Sequence, residues 1–393
     1  MNSLQQLRIA EKIQYYRKKV NLTQEDLAKK LGLARTSVTA IEKGERKLKA
    51  SEIIQVSEIL NIPLLELTRE SSFDPKEYKV QFRKMVGNNT NNEMEELAME
   101  EFYGYCEKYS ELQKRIIYSN FINSEVPEFS RQEYSLKEGA KKLAERERER
   151  LNLGTDPVSS LREILEMECG LLIFFAPNKN VKISGAYLFN EVIGGCIFIN
   201  SSHPFERRRF TLAHEYAHFL ADRKLISIDK DELFETRFRK EDSEKFADLF
   251  AVNFLMPEET VIKQFQNIAA TTQRFTEVDI ARLSVYFGTS FEAMTNRLIS
   301  LELLPKGSYQ LMLDHGVKPD TIKKQFSNTS VMYQNDNTSI FPYNYRKMVI
   351  DLYKREELTE GEVSYYLGLN RLEVREFLEK EEVTTPYLDL LKS

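Results

Sequence analysis

His214-Glu215-Tyr216-Ala217-His218 constrains the fold of this 393-residue chain more than any other stretch, because the chemistry it suggests needs an α-helix. Residues four apart on a helix lie one above the other, so the two imidazoles can close on one metal ion. Glu215 sits about 100° round the axis, beside that ion rather than on it. There it can take a proton from a water held by the metal, and zinc lowers the pKa of such a water from about 15.7 toward about 7. The chain has only 4 histidines, so chance assembly of the pattern has a probability under about one in a hundred. Phe210, Leu212, Ala213, Ala217, Phe219 and Leu220 give the segment an apolar body suited to burial against a sheet. The alternative to a metal is a pair of structural histidines.

A catalytic tetrahedral site takes three protein ligands and leaves the fourth position to water. Glu244 is the best downstream donor. It opens a second apolar-periodic segment that Pro257 stops. Glu244, Ala247 and Ala251 fall on one stripe of that helix, and the alanines allow close approach to the histidine helix. Asp248 lies one turn beyond Glu244, placed to accept a hydrogen bond from the outer nitrogen of a ligand imidazole. Two solvated acids at a helix start are the plainer reading of this pair.

Asn200, then Arg209-Phe210-Thr211-Leu212-Ala213 running into the HExxH, then Glu244-x-x-Ala247-Asp248-x-Phe250-Ala251 closing on Leu255-Met256-Pro257, resembles the ImmA/IrrE family of bacterial zinc metallopeptidases. Glu244 and Asp248 also reproduce the E-x-x-x-D pattern of the broader gluzincin class. The resemblance covers roughly residues 134 to 300. It implies a small domain in which a mixed sheet packs on the metal helices, and regulation by cutting a transcription repressor. It leaves the oxyanion-stabilising residue open among His203, Tyr187 and His315.

The amino-terminal 68 residues carry a separate signal. Leu22 to Leu33 reads as a helix with Thr23 as N-cap and Asp26 at N3, ended by a turn at Gly32. A second helix follows from Ala34 to Gly44, with Val38 and Ile41 inward and Arg35, Thr36, Thr39 and Lys43 outward. Two short helices joined by a glycine turn form a helix-turn-helix, whose second member enters the major groove. The T-Q-x-x-L-A and I-E-x-G signatures resemble the Cro/C1-type (XRE) DNA-binding domain. By that resemblance Gln24 holds phosphate, Arg35 and Thr36 read bases beside Thr39, and Lys43 and Arg46 grip the backbone. Residues 1 to 68 hold 12 Lys and Arg against 8 Asp and Glu, a net +4, whereas the remainder is net −9. A basic end on an acidic chain is the expected footprint of phosphate-driven binding. A helical protein-interaction module is the alternative.

Apolar content of 41% and charge of 30% suit a soluble protein of two to four domains. No run approaches the roughly 18 apolar residues of a membrane span, and the start lacks a basic-then-apolar signal, so a cytoplasmic location without membrane contact is expected. Cys106, Cys169 and Cys196 are too scattered for a disulfide framework.

Between the two regions, Gly87 to Asn92 is a polar break and Glu93 to Phe121 has helical spacing. Ser135 to Leu151 is a charged helix expected to present a solvated face, and Asp156-Pro157 reads as the cap and first turn of the next. Leu171 to Phe175, Gly185 to Phe189 and Gly195 to Ile199 read as three short strands, one of which, at an edge, could hold an extended peptide. Residues 318 to 341 are Asn-rich and read as a linker. Leu358 to Leu378 has the cadence of another helix-turn-helix, with an acidic face suited to docking rather than DNA.

The expected fold class is α+β multidomain. Residues 1–68 form an all-α DNA-binding domain, 69–133 a helical connector, 134–304 a gluzincin-like metallopeptidase domain with a small sheet, and 305–393 a helical module. The expected function is a transcriptional regulator of bacterial stress or phage type. It binds double-stranded operator DNA as a homodimer and uses Zn2+ on His214, His218 and Glu244, with Glu215 as base, to cleave a partner regulatory protein. Two alternatives stand beside it: a repressor or antitoxin whose metal domain binds a partner without cutting, and a sensor in which the metal alters DNA affinity.

Overall fold

The computed structural model describes residues 3–20, 22–60, 62, 64, 67, 93–116, 126–131, 134–177, 184–190, 193–223, 235–327 and 339–383. The polar break at 87–92 lies outside them. The chain forms two compact units, one built from residues 1–119 and 343–393, the other from residues 120–342. The stretch 305–393 is thus shared between them. In chain order the helices are α1 (Ser3–Lys19), α2 (Gln24–Leu31), α3 (Arg35–Glu42), α4 (Ala50–Leu60), α5 (Glu93–Arg115), α6 (Leu136–Arg150) and α7 (Leu161–Glu168). Strands β1 (Leu172–Ala176), β2 (Gly185–Asn190) and β3 (Gly194–Asn200) follow. Then come α8 (Phe205–Ala221), α9 (Glu235–Leu255), α10 (Glu258–Thr272), α11 (Glu277–Phe287), α12 (Phe291–Ser300), α13 (Ser308–Asp314), α14 (Pro319–Ser327), α15 (Tyr343–Lys354), α16 (Glu360–Leu367) and α17 (Arg371–Val383). No helix among the described residues is long and apolar enough to cross a membrane.

In the first unit, local chemistry sets the helix boundaries. Thr23 Oγ1 accepts from Asp26 N, and Asp26 Oδ2 accepts from Thr23 N, so each end of the capping box satisfies an orphan amide. Gly32 ends α2 at φ +66°, a conformation that costs a glycine little. Leu27, Val38, Ile41 and Val56 close the core between α1, α2, α3 and α4. The same grammar recurs at Thr359, Glu362 and Gly368 around α16. That carboxy-terminal pair packs on α5: Lys108 Nζ donates to Tyr365 O at 2.9 Å, and Arg115 pairs with Glu362 at 2.9 Å.

The second unit is built round α8, which lies between the sheet and α9 and shares its core with α6. Strand order is β1-β3-β2, with β3 parallel to β1 and antiparallel to β2. The sheet is therefore mixed, and β1 and β2 are its edges. Tyr216, fully buried, packs on Phe250 and Phe254 of α9.

Three expectations are corrected. Helix α7 begins at Leu161, not at Asp156-Pro157, because the carbonyls before it serve arginines: Asp156 O accepts from Arg148, and Val158 O from Arg209 at 2.6 Å. The charged helix α6 is not wholly solvated, since Glu147 and Arg148 are buried. Glu147 accepts from the Tyr216 hydroxyl at 2.6 Å, and Arg148 donates to Phe254 O at 2.5 Å. The stretch read as a linker opens with α14, whose Lys323 reaches the Glu206 carboxylate and Thr289 O. Residues 328–338 lie outside the described residues.

Candidate metal centre

The i, i+4 spacing on α8 turns the rings of His214 and His218 toward each other, with Nε2 atoms 3.2 Å apart. Glu244, on α9, places Oε2 3.2 Å from His214 Nε2 and Oε1 3.8 Å from His218 Nε2. The three ligand atoms lie within 4.8 Å of one another. Two atoms each about 2.05 Å from a tetrahedral ion stand about 3.3 Å apart, so the donor set has the spacing of a zinc site. Two imidazoles and one carboxylate are also the ligand chemistry of a catalytic zinc.

The outer ring nitrogens support this orientation. His214 Nδ1 faces Asp248 Oδ1 at 2.9 Å, and His218 Nδ1 faces Asp222 Oδ2 at 3.1 Å. With both Nδ1 atoms donating to carboxylates, both Nε2 lone pairs converge on Glu244. Three acceptors at one point call for a cation. Burial opposes charge on the His214 ring, but hydrogen bonds to Asp248 and Glu244 outweigh it and push its pKa up to about 10. Glu215, next to His214 on α8, is buried, and His218, His214 and Glu244 all act on its charge. That burial raises its carboxyl above the ordinary carboxylate range, against the opposing pull of His218 and His214. A carboxyl lifted in this way is better matched to proton transfer near neutral pH.

The three oxyanion candidates have different surroundings. Tyr187 stands edge-on to Phe219, its hydroxyl buried without a hydrogen-bond partner among the described residues. His203 lies 3.5 Å from Asn200 Nδ2, and burial together with Arg207 and Arg208 lowers its pKa. His315 contacts Leu311 O within its own helix turn.

In the amino-terminal unit, Arg35, Thr36 and Lys43 are exposed on or just after α3. Thr39 Oγ1 donates to Gln24 Oε1 at 3.1 Å, and Gln24 Nε2 donates to Glu42 Oε2 at 2.8 Å. Glu42 is itself locked to Arg17 in a buried pair at 2.6 Å. Arg46 pairs with Glu52 at 2.7 Å.

Residues 13–67 match the family model described as helix-turn-helix, and residues 166–299 match that of a peptidase family described as the IrrE N-terminal-like domain. The chain joins these two domains. An uncharacterised HTH-type transcriptional regulator of Methanocaldococcus jannaschii is 65% identical over 34 residues, which is 9% of this chain and 52% of that protein. The chain thus spans about half the length of this curated relative. The match to the IrrE N-terminal-like domain contains α8, α9 up to Pro257, and all three strands.

Asp222, Ser243, Arg131 and Gly185 escaped the sequence reading although each lies at or beside the centre. For Asp222 a signal existed, since it falls four residues after His218. For the other three it did not, because their contacts come from other segments of the chain.

Proposed function

We propose that this helix-turn-helix regulator, bound as a dimer to double-stranded operator DNA, is a zinc-dependent endopeptidase acting on a partner regulatory protein. The observation that supports it is the convergence of His214, His218 and Glu244 on one point beside the buried Glu215 carboxylate. Bound zinc would act as a Lewis acid, polarising the scissile carbonyl and easing ionisation of the attacking water. His214, His218 and Glu244 hold the ion, and Asp248 fixes the His214 tautomer through Nδ1. Glu215 takes the proton from the attacking water and later passes it to the leaving amine. At the other end of the chain, Arg35 and Thr36 read base edges while Lys43 and Arg46 contact phosphate, for which Arg46 must share its guanidinium with Glu52.

The test is a comparison of new protein termini in a host lysate incubated with the parent or with Glu215→Gln. Termini made by the parent alone, and lost on chelation, are expected. Identical termini with both proteins would sink the proposal.

A further inference from the structure

Asp222 caps the far end of the histidine helix and is only 5% exposed. Its carboxylate gathers three segments of the second unit. Oδ2 accepts from His218 Nδ1 at 3.1 Å and from Ser243 Oγ, on α9 next to Glu244, at 2.5 Å. Oδ1 accepts from the Arg131 guanidinium. Arg131 belongs to the short strap 126–131, which is tied to the same helix end: Phe129 N donates to Leu220 O at 2.8 Å, and Arg223 donates to Val126 O at 2.9 Å. The guanidinium also lies 5.4 Å from the centre of the Phe246 ring on α9.

A ligand imidazole presents Nε2 to a metal only if Nδ1 keeps the proton and the ring is held in plane with the ion. For His214 the partner is Asp248, whose side chain is 59% exposed, so water can replace it. For His218 the partner is enclosed. No water takes over when a buried acceptor is removed, and only the longer contact of Ser243 Oγ, 3.4 Å from His218 Nδ1, would remain to hold the ring. Ser243 and Arg131 occupy the remaining directions around Asp222, so its position is determined from both sides.

We infer that Asp222 is the positioning residue for His218, and that Arg131 sets where Asp222 stands. The strap then governs how tightly the centre holds its ion, although no strap atom touches a ligand. This rests on the metal reading above. It goes beyond it in assigning control of affinity to residues outside the ligand set.

The test is metal affinity of the full-length protein, measured with Zn2+ against a chelating dye. Asp222→Ala is expected to weaken binding roughly 10- to 100-fold, and by more than Asp248→Ala does. Arg131→Met keeps an apolar stem over Phe246 and removes the charge. It is expected to weaken binding several-fold in the parent and not at all in the Asp222→Ala background. Co2+-loaded Arg131→Met is expected to show shifted visible bands, which loss of fold stability alone would not produce. Stoichiometric uptake by the parent with unchanged affinity in Asp222→Ala overturns the assignment alone. A parent that takes up no metal overturns it together with the metal reading. Should Asp222→Ala not fold, Arg131→Met decides: parental affinity there overturns the inference.

Discussion

Gly185 stands against Glu215: a Cβ built on it would lie 3.0 Å from Glu215 Oε1 and 2.4 Å from Thr211 Cγ2. The first residue of β2 is therefore a glycine because the histidine helix passes too close for anything larger. Gly185→Ala must push α8 away from the sheet, and overpacking of this kind costs about 1–3 kcal/mol. A lower urea midpoint with an unchanged slope is expected. Parental stability would mean that the close approach is not maintained in solution.

Glu215→Gln removes the proposed base and leaves the three ligand atoms in place. General acid–base catalysis contributes about 10²- to 10⁴-fold, so cleavage should fall by at least about 100-fold. Elemental analysis should find metal in the variant at the parental ratio. A variant that cuts at the parental rate would rule out Glu215 as base.

Chelation should destabilise the second unit. A ligand that binds only the folded state, present at about 1,000 times its dissociation constant, stabilises by about 4 kcal/mol, and that increment should vanish with the metal. Operator affinity should stay constant, since the residues assigned to DNA lie in the first unit. Affinity that tracks metal content would favour the sensor alternative over the peptidase.

Arg35→Ala should cost about 1–3 kcal/mol at one operator position and relax base preference there. Lys43→Ala should weaken binding to all sequences alike and reduce the salt slope by about one. Gel-shift titrations over a panel of single-base operator variants separate the two. Identical behaviour of the two substitutions would remove the distinction between reader and clamp.

Acid should loosen the first unit. Burial raises the Glu52 carboxyl, but hydrogen bonds from Arg46 and from Lys49 N outweigh it and hold it below its ordinary 4.5. A depressed folded-state pKa gives stability that is complete above the unfolded value and is lost as pH falls through the folded one. Unfolding of this unit should therefore steepen below pH 4.5, and Glu52→Gln should flatten that dependence. An unchanged pH slope in the variant would show that Glu52 is not its source.

Where interactions were local, residues foretold structure well. Thr23, Asp26 and Gly32 bound α2 because capping and left-handed turns are decided within a few residues. Gly185 and Gly195 flank strands that fall within one or two residues of their expected bounds. The i, i+4 spacing of His214 and His218 gives facing rings directly, and Glu244 meets them because alanines line its stripe. Non-local pairing was illegible. Charge in α6 looked solvated because its partners, Tyr216 and Phe254 O, are more than sixty residues away. The Asn-rich composition after residue 327 obscured α14, whose Pro319 start, Asp320 and Ile322-Phe326 spacing were readable. Arg131 could not be linked to Asp222, 91 residues on, by any pattern along the chain.

The contact between Lys108 and Tyr365 spans 257 residues, and everything between residues 120 and 342 belongs to the other unit. Closing so large a loop in an open coil is entropically unfavourable and slow. A folded insert changes that, because it replaces a wandering coil with two anchored ends. During synthesis the insert should then fold while α5 waits, and α15 to α17 should dock last. Once residue 342 has cleared the ribosome, the chain would carry a finished insert attached to an incomplete amino-terminal partner.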